Sequence, residues 1–332
     1  RLRNGAPCSK RRGAMDGSIA RPRPFLALGI RLLTAFVLAT MGMLVKLAGE
    51  NGAHLVELIF WRQALTFALI GGGLLLLGRG AMVRTARIRS HAMRAALGLS
   101  GMFFTYGAVM LLPLAEATTL GFTAPFFAVL IAVLFFGEKV GLYRSLAVVM
   151  GFAGVLVVMQ PGGLGSPGAS AQGVTIWGVV VALTAAALVS LISFQVQDLN
   201  RTESPWSIVF WFTALSLPVL VIALPFFMGA HDAWTWGLIL ATALTGGVAQ
   251  MLLTTSLRFG SASVILLMDY TSLLWATWYG YTIFDRAAPA SLALGAPLII
   301  AAGALIAWRE RQLARARARS VAAMEQAPSP AP

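Results

Sequence analysis

Ten apolar stretches run through the chain and limit what it can fold into. Most are roughly 20 residues long, and a helix of that length, rising about 1.5 Å per residue, crosses a hydrocarbon core of about 30 Å. Helices are the expected spanning form because lipid offers no hydrogen-bond partner to a free backbone group, and the alternating pattern of a membrane β-barrel is absent. The stretches lie at residues 25–47, 55–78, 94–112, 116–136, 142–159, 173–194, 206–228, 234–257, 262–284 and 290–308. The sequence therefore predicts an all-α membrane protein with ten transmembrane helices.

The basic residues are concentrated in every second gap between these stretches. With the N-terminus inside, both tails and the even-numbered gaps hold 22 of the 25 lysines and arginines. Only Lys46, Arg62 and Arg286 fall elsewhere. Because cytoplasmic loops carry an excess of Lys and Arg, this pattern predicts that both termini are cytoplasmic.

The composition argues against several classes of function. A net charge of +13 can indicate a nucleic-acid partner, but here the basic residues lie where membrane topology requires them. The single cysteine, Cys8, leaves neither an intramolecular disulfide nor a zinc framework. His54, His91 and His231 fall near the ends of predicted helices, whereas a haem or di-metal centre needs histidines inside a bundle. The sequence thus predicts no nucleic-acid partner, no metal site and no cofactor.

The longest polar gap, residues 161–172, is rich in Gly and Ser and divides the predicted helices five and five. We expect a first repeat over 25–160, this gap as an external linker, and a second repeat over 173–310. The basic arm, 1–24, and the tail, 311–332, have compositions that cannot build a packed core, so we expect both to be disordered. Met15 is a possible start residue.

The two halves share a pattern that indicates a duplication. Predicted helix 4 ends in Phe136-Gly137-Glu138, and predicted helix 9 ends in Phe284-Asp285, at an offset of about 146–148 residues. Because five is odd, the second half must be inverted relative to the first. Inverted repeats with a site at their interface, near the bilayer midplane, are an architecture of secondary transporters.

Several first-half motifs carry a resemblance to a known family. Residues 57–62 read Glu-Leu-Ile-Phe-Trp-Arg, residues 123–127 read Thr-Ala-Pro-Phe-Phe, and residues 134–139 read Leu-Phe-Phe-Gly-Glu-Lys. These motifs resemble those of the EamA-type transporters of the drug/metabolite transporter superfamily, and the resemblance covers about residues 25–310. The second half departs from the family pattern, since Met268-Asp269-Tyr270 stands where the family commonly has prolines. The resemblance implies solute movement through an alternating-access cavity, with no covalent chemistry.

Asp269 is the sharpest candidate for a functional residue. It is predicted about eight residues into helix 9, roughly 12 Å deep. A carboxylate there costs about 2.5–3.5 kcal/mol on insertion scales, so it should face the bundle interior. Two interpretations stay open: a site for a proton or a substrate amine, or a structural ion pair with Arg62 as the first partner to test.

Arg62 is the second buried charge that the pattern predicts. Its planar guanidinium suits a clamp for a carboxylate or phosphate. The alternative is a structural partner for Glu57, Asp269 or exposed carbonyls. For Lys46 and Glu57, which fall near the outer surface, snorkelling of the side chain is an adequate account.

Four aromatic residues fall near the middle of predicted helices: Tyr106, Phe122, Tyr270 and Trp275. We predict that they line a cavity suited to a flat or aromatic solute, with core packing as the alternative for each.

Together these observations predict transport of a small organic metabolite across the plasma membrane, the inner membrane of a bacterium, by a multi-pass protein in the lipid bilayer. Proton coupling is left open. The alternatives are an integral membrane enzyme, for which the sequence offers no catalytic constellation, and a scaffold, which has no need of Asp269 and Arg62 at depth.

Overall fold

The computed structural model describes residues 24–136, 142–158, 175–259 and 269–326. Within these ranges the chain forms eleven α-helices, two short 3₁₀ turns and no strand. The helices are α1 Pro24–Glu50, α2 Leu55–Leu76, α3 Ile88–Leu111, α4 Leu114–Gly121, α5 Ala124–Phe136, α6 Leu142–Val158, α7 Ile176–Leu199, α8 Pro205–Ala223, α9 Ala233–Phe259, α10 Thr271–Phe284 and α11 Ala290–Gln326. The 3₁₀ turns, Gly80–Val83 and Leu224–Phe226, follow α2 and α8.

Eight segments of the described chain are long and apolar enough to cross a membrane, and α6 supplies a shorter apolar helix over Ser145–Val158. The predicted class, an all-α membrane protein, is confirmed. Of predicted helix 9, 262–284, the structure describes the part from Asp269 onwards, which includes α10. The linker and the N-terminal arm lie outside the described residues.

Predicted helix 4 is two helices rather than one. α4 ends at Gly121, and α5 begins at Ala124 after a turn at Phe122 and Thr123. The Thr123 hydroxyl donates a hydrogen bond to the Leu120 carbonyl at 2.7 Å. Pro125 has no amide hydrogen, so it cannot donate to the Gly121 carbonyl and continue the ladder of α4. The break brings a short polar turn into an otherwise apolar span.

Two helices extend six or more residues beyond their predicted ends. α3 begins at Ile88, six residues before the predicted start, and the Thr85 hydroxyl accepts the Arg87 amide at 2.9 Å in the turn that precedes it. α11 continues to Gln326, so residues 311–326 are helical where we expected a disordered tail. Alanine, arginine and glutamine are favourable helix formers, which explains why the helix outlasts its apolar segment.

The packing joins each half of the chain to the other. α1 packs against α9 and α10, and α7 packs in the same way against α3, α4 and α5. α2 packs against α8, and α6 packs against α11. When α4 and α5 are counted as one helix, each contact has a counterpart. The contacts of α1 with α9 and α10 correspond to those of α7 with α3 and with α4 and α5, and the pairs α2 with α8 and α6 with α11 each join corresponding helices. A duplicated five-helix unit predicts that relationship.

Candidate functional site

Asp269 lies just before α10, and its carboxylate accepts a hydrogen bond from the Arg31 guanidinium of α1. The Arg31 side chain is buried, and that of Asp269 is 25% exposed. The Ser272 hydroxyl donates to the backbone carbonyl of Asp269 at 2.6 Å. Within the described chain, Asp269 Oδ1 is buried without a hydrogen-bond partner.

The partner of Asp269 in the structure is therefore Arg31 and not Arg62, which was the first partner to test for a structural ion pair. The basic pattern assigned Arg31 to the N-terminal arm. Because α1 begins at Pro24, Arg31 instead lies two turns inside the helix, on a face that packs against the second half of the chain.

Tyr270 and Phe122 are in contact across the two halves. Their rings meet edge to face, with centroids 4.8 Å apart and planes at 81°. Phe122 follows α4 and Tyr270 precedes α10, so both stand at helix ends within predicted spans. The Tyr270 hydroxyl lies against Gly303 of α11, where a side chain would overlap it. That hydroxyl is buried and has no hydrogen-bond partner among the described residues.

Arg62 lies in α2, is 5% exposed, and points towards α3 and α9. Its guanidinium donates to the Met102 sulfur at 2.8 Å, the Gly246 carbonyl at 3.3 Å and the Gln250 side-chain oxygen at 3.2 Å. Gly246 makes this approach feasible, because a Cβ there would come within 2.6 Å of Arg62 Cδ. Arg62 Nε is buried without a partner within the described chain.

The acids that we considered as partners for Arg62 are engaged elsewhere. The buried Glu57 carboxylate is 2.7 Å from His231 Nε2, and Asp269 pairs with Arg31. Of the structural alternatives for Arg62, only contact with a backbone carbonyl, that of Gly246, agrees with the structure. Lys46 also differs from expectation, since its ammonium donates to the Leu112 carbonyl at 2.9 Å and so helps to satisfy the end of α3.

Arg94 is a buried charge that the sequence pattern did not identify. It is 4% exposed, and its guanidinium lies over the Phe212 ring of α8, 4.3 Å from the centroid. Nε and Nη1 are buried without hydrogen-bond partners in the part of the chain that is described. The basic pattern counted Arg94, the first residue of predicted helix 3, with the preceding cytoplasmic gap. Its spacing of four and eight residues from Gly98 and Met102 places all three on one face of α3, a signal that could have found it.

Tyr106 lies on the same face of α3, one turn beyond Met102. It is buried, and its hydroxyl is 3.6 Å from the Met41 sulfur of α1. Trp275 lies on the flank of α10, is 38% exposed, and meets Phe36 of α1 edge to face at 4.8 Å. A role of either residue in a cavity wall stays a prediction.

The candidate residues form two groups. One, the Asp269 group, contains Arg31, Phe122, Asp269 and Tyr270. The other, the arginine group, contains Arg62, Arg94, Met102 and Gln250. Each group joins residues of the first half to residues of the second. Within the described ranges, no cluster of three or more His, Cys, Asp or Glu residues could hold a metal.

Comparison with known proteins identifies the family. The profile of the EamA-like transporter family matches residues 25–160. A riboflavin transporter of Rhizobium johnstonii is 30% identical over 261 residues, covering 77% of this chain and 82% of that protein. The chain belongs to the EamA-like transporter family. It is therefore a multi-pass membrane transporter of small molecules rather than an enzyme.

Two further similarities cover most of this EamA-like transporter. The pseudopaline exporter of Pseudomonas aeruginosa is 26% identical over 279 residues, 82% of this chain and 93% of that protein. A crystal structure matches with a TM-score of 0.57 at 19% identity, over 85% of this chain and 98% of the other. The structural likeness concerns the fold alone.

Proposed function

We propose that this transporter moves a small organic metabolite across the plasma membrane, the inner membrane of a bacterium, by alternating access. Both termini are cytoplasmic, and the two five-helix halves are inverted repeats. One observation carries the proposal: the candidate residues contact each other across the two halves. Arg31 meets Asp269, Phe122 meets Tyr270, and Arg62 meets Gln250 of the other half.

A site at the interface of two repeats can be exposed to either side in turn when the repeats rock against each other. The pair Arg31 and Asp269 belongs to α1 and the start of α10, which such a motion would separate. Asp269 is then free to bind a proton or a substrate amine in one state and Arg31 in the other. This exchange couples the conformation of the halves to the occupancy of one carboxylate.

The substrate that we propose to test first is flat and aromatic. The edge-to-face pair of Phe122 and Tyr270 offers an apolar aromatic surface, which suits an aromatic ring, and the buried Tyr270 hydroxyl has no hydrogen-bond partner among the described residues. A relative is named a riboflavin transporter, and riboflavin is the first compound to assay.

Alternating access is tested without knowledge of the substrate. Cys8 is replaced by Ala, and Thr254→Cys then places a single thiol one turn beyond Gln250, at a buried position of α9. We expect an impermeant maleimide to label this thiol in both right-side-out and inside-out vesicles. Leu244→Cys, on the exposed apolar face of the same helix, is the control and should resist the reagent because it faces lipid.

Labelling of Thr254→Cys from one side only, or from neither, contradicts alternating access. Labelling from both sides in vesicles that leak small ions indicates a pore rather than a transporter. Uptake or release of labelled riboflavin by the same vesicles then tests the substrate.

A further inference from the structure

The arginine group contains two buried cations without a counter-ion among the described residues. From this we infer that Arg62 and Arg94 bind the carboxylate or phosphate group of an anionic substrate. The inference rests on the proposed transport function and adds a substrate class to it.

The two guanidinium groups reach the same part of α3 from opposite ends. As successive spans, α2 and α3 are expected to run in opposite directions, and Arg62 is the eighth residue of α2 while Arg94 is the seventh residue of α3. Arg62 contacts Met102, and Arg94 lies against Gly98, where a side chain would overlap it. Gly98 and Met102 are one helical turn apart, about 6 Å along the axis, near the middle of α3. The two guanidinium groups therefore contact neighbouring turns of α3, and one anion placed between them would neutralise both charges.

Five of the acidic residues that the structure describes have partners other than the two arginines. The sequence holds 12 Asp and Glu residues. Within the described ranges, ion pairs form between Asp269 and Arg31, Asp198 and Arg87, and Glu50 and Lys46. The Glu57 carboxylate is 2.7 Å from His231 Nε2. Glu203 accepts hydrogen bonds from Thr85 and Ser207. None of these carboxylates pairs with Arg62 or Arg94.

Neutral groups supply only some of the hydrogen-bond acceptors that two guanidinium groups require. Arg94 lies over the Phe212 ring, and Arg62 uses a sulfur, one carbonyl and one amide oxygen. Three nitrogens stay without an acceptor in the described chain: Arg62 Nε, Arg94 Nε and Arg94 Nη1. Arginine stays protonated when buried, so the site keeps two positive charges in a poorly solvated interior. Carboxylates and phosphates match the planar donor geometry of a guanidinium and neutralise it.

The experiment uses three aromatic probes that differ in one substituent: benzoate, phenyl phosphate and the neutral benzamide. Full-length protein in lipid nanodiscs is titrated with each probe, and the melting temperature is recorded. We expect a saturable rise with benzoate, with phenyl phosphate or with both, and none with benzamide. The anion that acts identifies the group as a carboxylate or a phosphate. No response to either anion overturns the inference.

Two variants and a matched control locate the effect. Arg62→Gln and Arg94→Gln should each weaken anion binding by about tenfold or more, because each removes half of the charge in a buried site. Arg87→Gln removes the same charge from the surface pair with Asp198 and should leave binding unchanged. Binding that survives both arginine substitutions, or falls equally in the control, overturns the inference.

The stability of the unliganded variants separates a binding role from a structural one. If the two cations are uncompensated, Arg94→Gln relieves repulsion and should leave the melting temperature equal or higher. A variant that melts well below the wild type, together with Arg94→Lys that restores stability but gives no anion response, indicates a structural arginine and overturns the inference.

Labelling of Thr254→Cys from both sides is measured separately, so that failure of the anion site can be distinguished from failure of the transport proposal. If it persists while anion binding fails, only the anion site is wrong; if it is lost, the transport proposal is wrong.

Discussion

The Arg31 guanidinium donates a hydrogen bond to the Asp269 carboxylate and so ties α1 of the first half to the residue that precedes α10 in the second. The pair lies in a chain whose hydrogen bonds are otherwise mostly local, within helices and turns. An ion pair that crosses between halves at a largely buried position resists their separation, whereas transport requires that they move. The energy of this contact is therefore relevant to both stability and turnover.

The first prediction is a measurable coupling between these two residues. Arg31→Gln and Asp269→Asn should each lower the melting temperature, because each leaves part of the pair behind at a buried position. The double variant should lose less than the sum, with an interaction energy of about 0.5–3 kcal/mol in a double-mutant cycle. The free energies of unfolding come from denaturant or thermal melts in a common detergent. Additive losses would contradict a direct interaction.

The same variants separate structure from transport. We expect Asp269→Asn to impair transport even where the double variant recovers stability, because Asn cannot exchange a proton or pair with an amine. Normal transport by Asp269→Asn would remove Asp269 from the substrate pathway.

The second prediction concerns Tyr270 and Gly303. A methyl group at Gly303 would overlap the Tyr270 hydroxyl, so Gly303→Ala should destabilise the protein by about 1–3 kcal/mol. Tyr270→Phe removes the oxygen and leaves the ring in contact with Phe122. The double variant Gly303→Ala/Tyr270→Phe should therefore recover most of the loss in thermal stability. If Gly303→Ala is neutral by itself, the hydroxyl does not lie against α11 as described.

The all-α membrane class and most of the spans could be predicted from the sequence because a membrane requires long apolar helices. Long apolar runs need no tertiary information to be recognised, and a charge inside one is costly wherever the helix packs. The selection of Arg62 and Asp269 rests on this reasoning. Both are indeed in contact with the other half of the chain.

The partners of these charges could not be predicted in the same way. Arg31 and Arg94 lie near the ends of predicted spans, where arginine ordinarily reaches the interface. A shift of six residues in the start of α3 takes Arg94 from the end of a predicted span to a buried position inside the helix. Helix boundaries and the choice of a packing partner depend on tertiary contacts, and periodicity carries little information about either.

The third prediction tests how Gly246 positions Arg62. Gly246→Ala would place a methyl group about 2.6 Å from Arg62 Cδ and displace the guanidinium. We expect benzoate or phenyl phosphate binding to weaken about as much as in Arg62→Gln. Gly237→Ala is the matched control in the same helix, since no atom lies within 4 Å of its added Cβ. It should leave binding intact and stability equal or slightly higher, because Ala favours a helix over Gly. Equal effects of both substitutions would indicate a general response of α9.

The fourth prediction concerns the Lys46 ammonium, which donates to the Val109 and Leu112 carbonyls at the end of α3. Lys46→Met keeps a long apolar side chain and removes these bonds. It should lower the free energy of unfolding by about 1–3 kcal/mol, since one buried and one partly buried acceptor lose a charged donor. Transport by the folded fraction should persist, because both hydrogen bonds lie within the first half and the only described contact of the ammonium with the second half is with the Phe284 ring, 5.8 Å from its centroid. A stable Lys46→Met that transports nothing would instead assign Lys46 to the substrate pathway.

The last prediction is the orientation of the chain in the membrane. The positive-inside pattern places the linker outside the cell and the turn between α2 and α3 in the cytoplasm. Ser166, which lies outside the described residues, and the exposed Ala86 are each replaced by Cys in a Cys8→Ala background. An impermeant maleimide added to intact cells should label Ser166→Cys and spare Ala86→Cys, and both should react after the cells are broken. The two sites are separated by three predicted spans, so they must lie on opposite sides if that count is correct. Labelling of Ala86→Cys alone in intact cells would invert the topology, and labelling of both or neither would show that the number of spans between them is even.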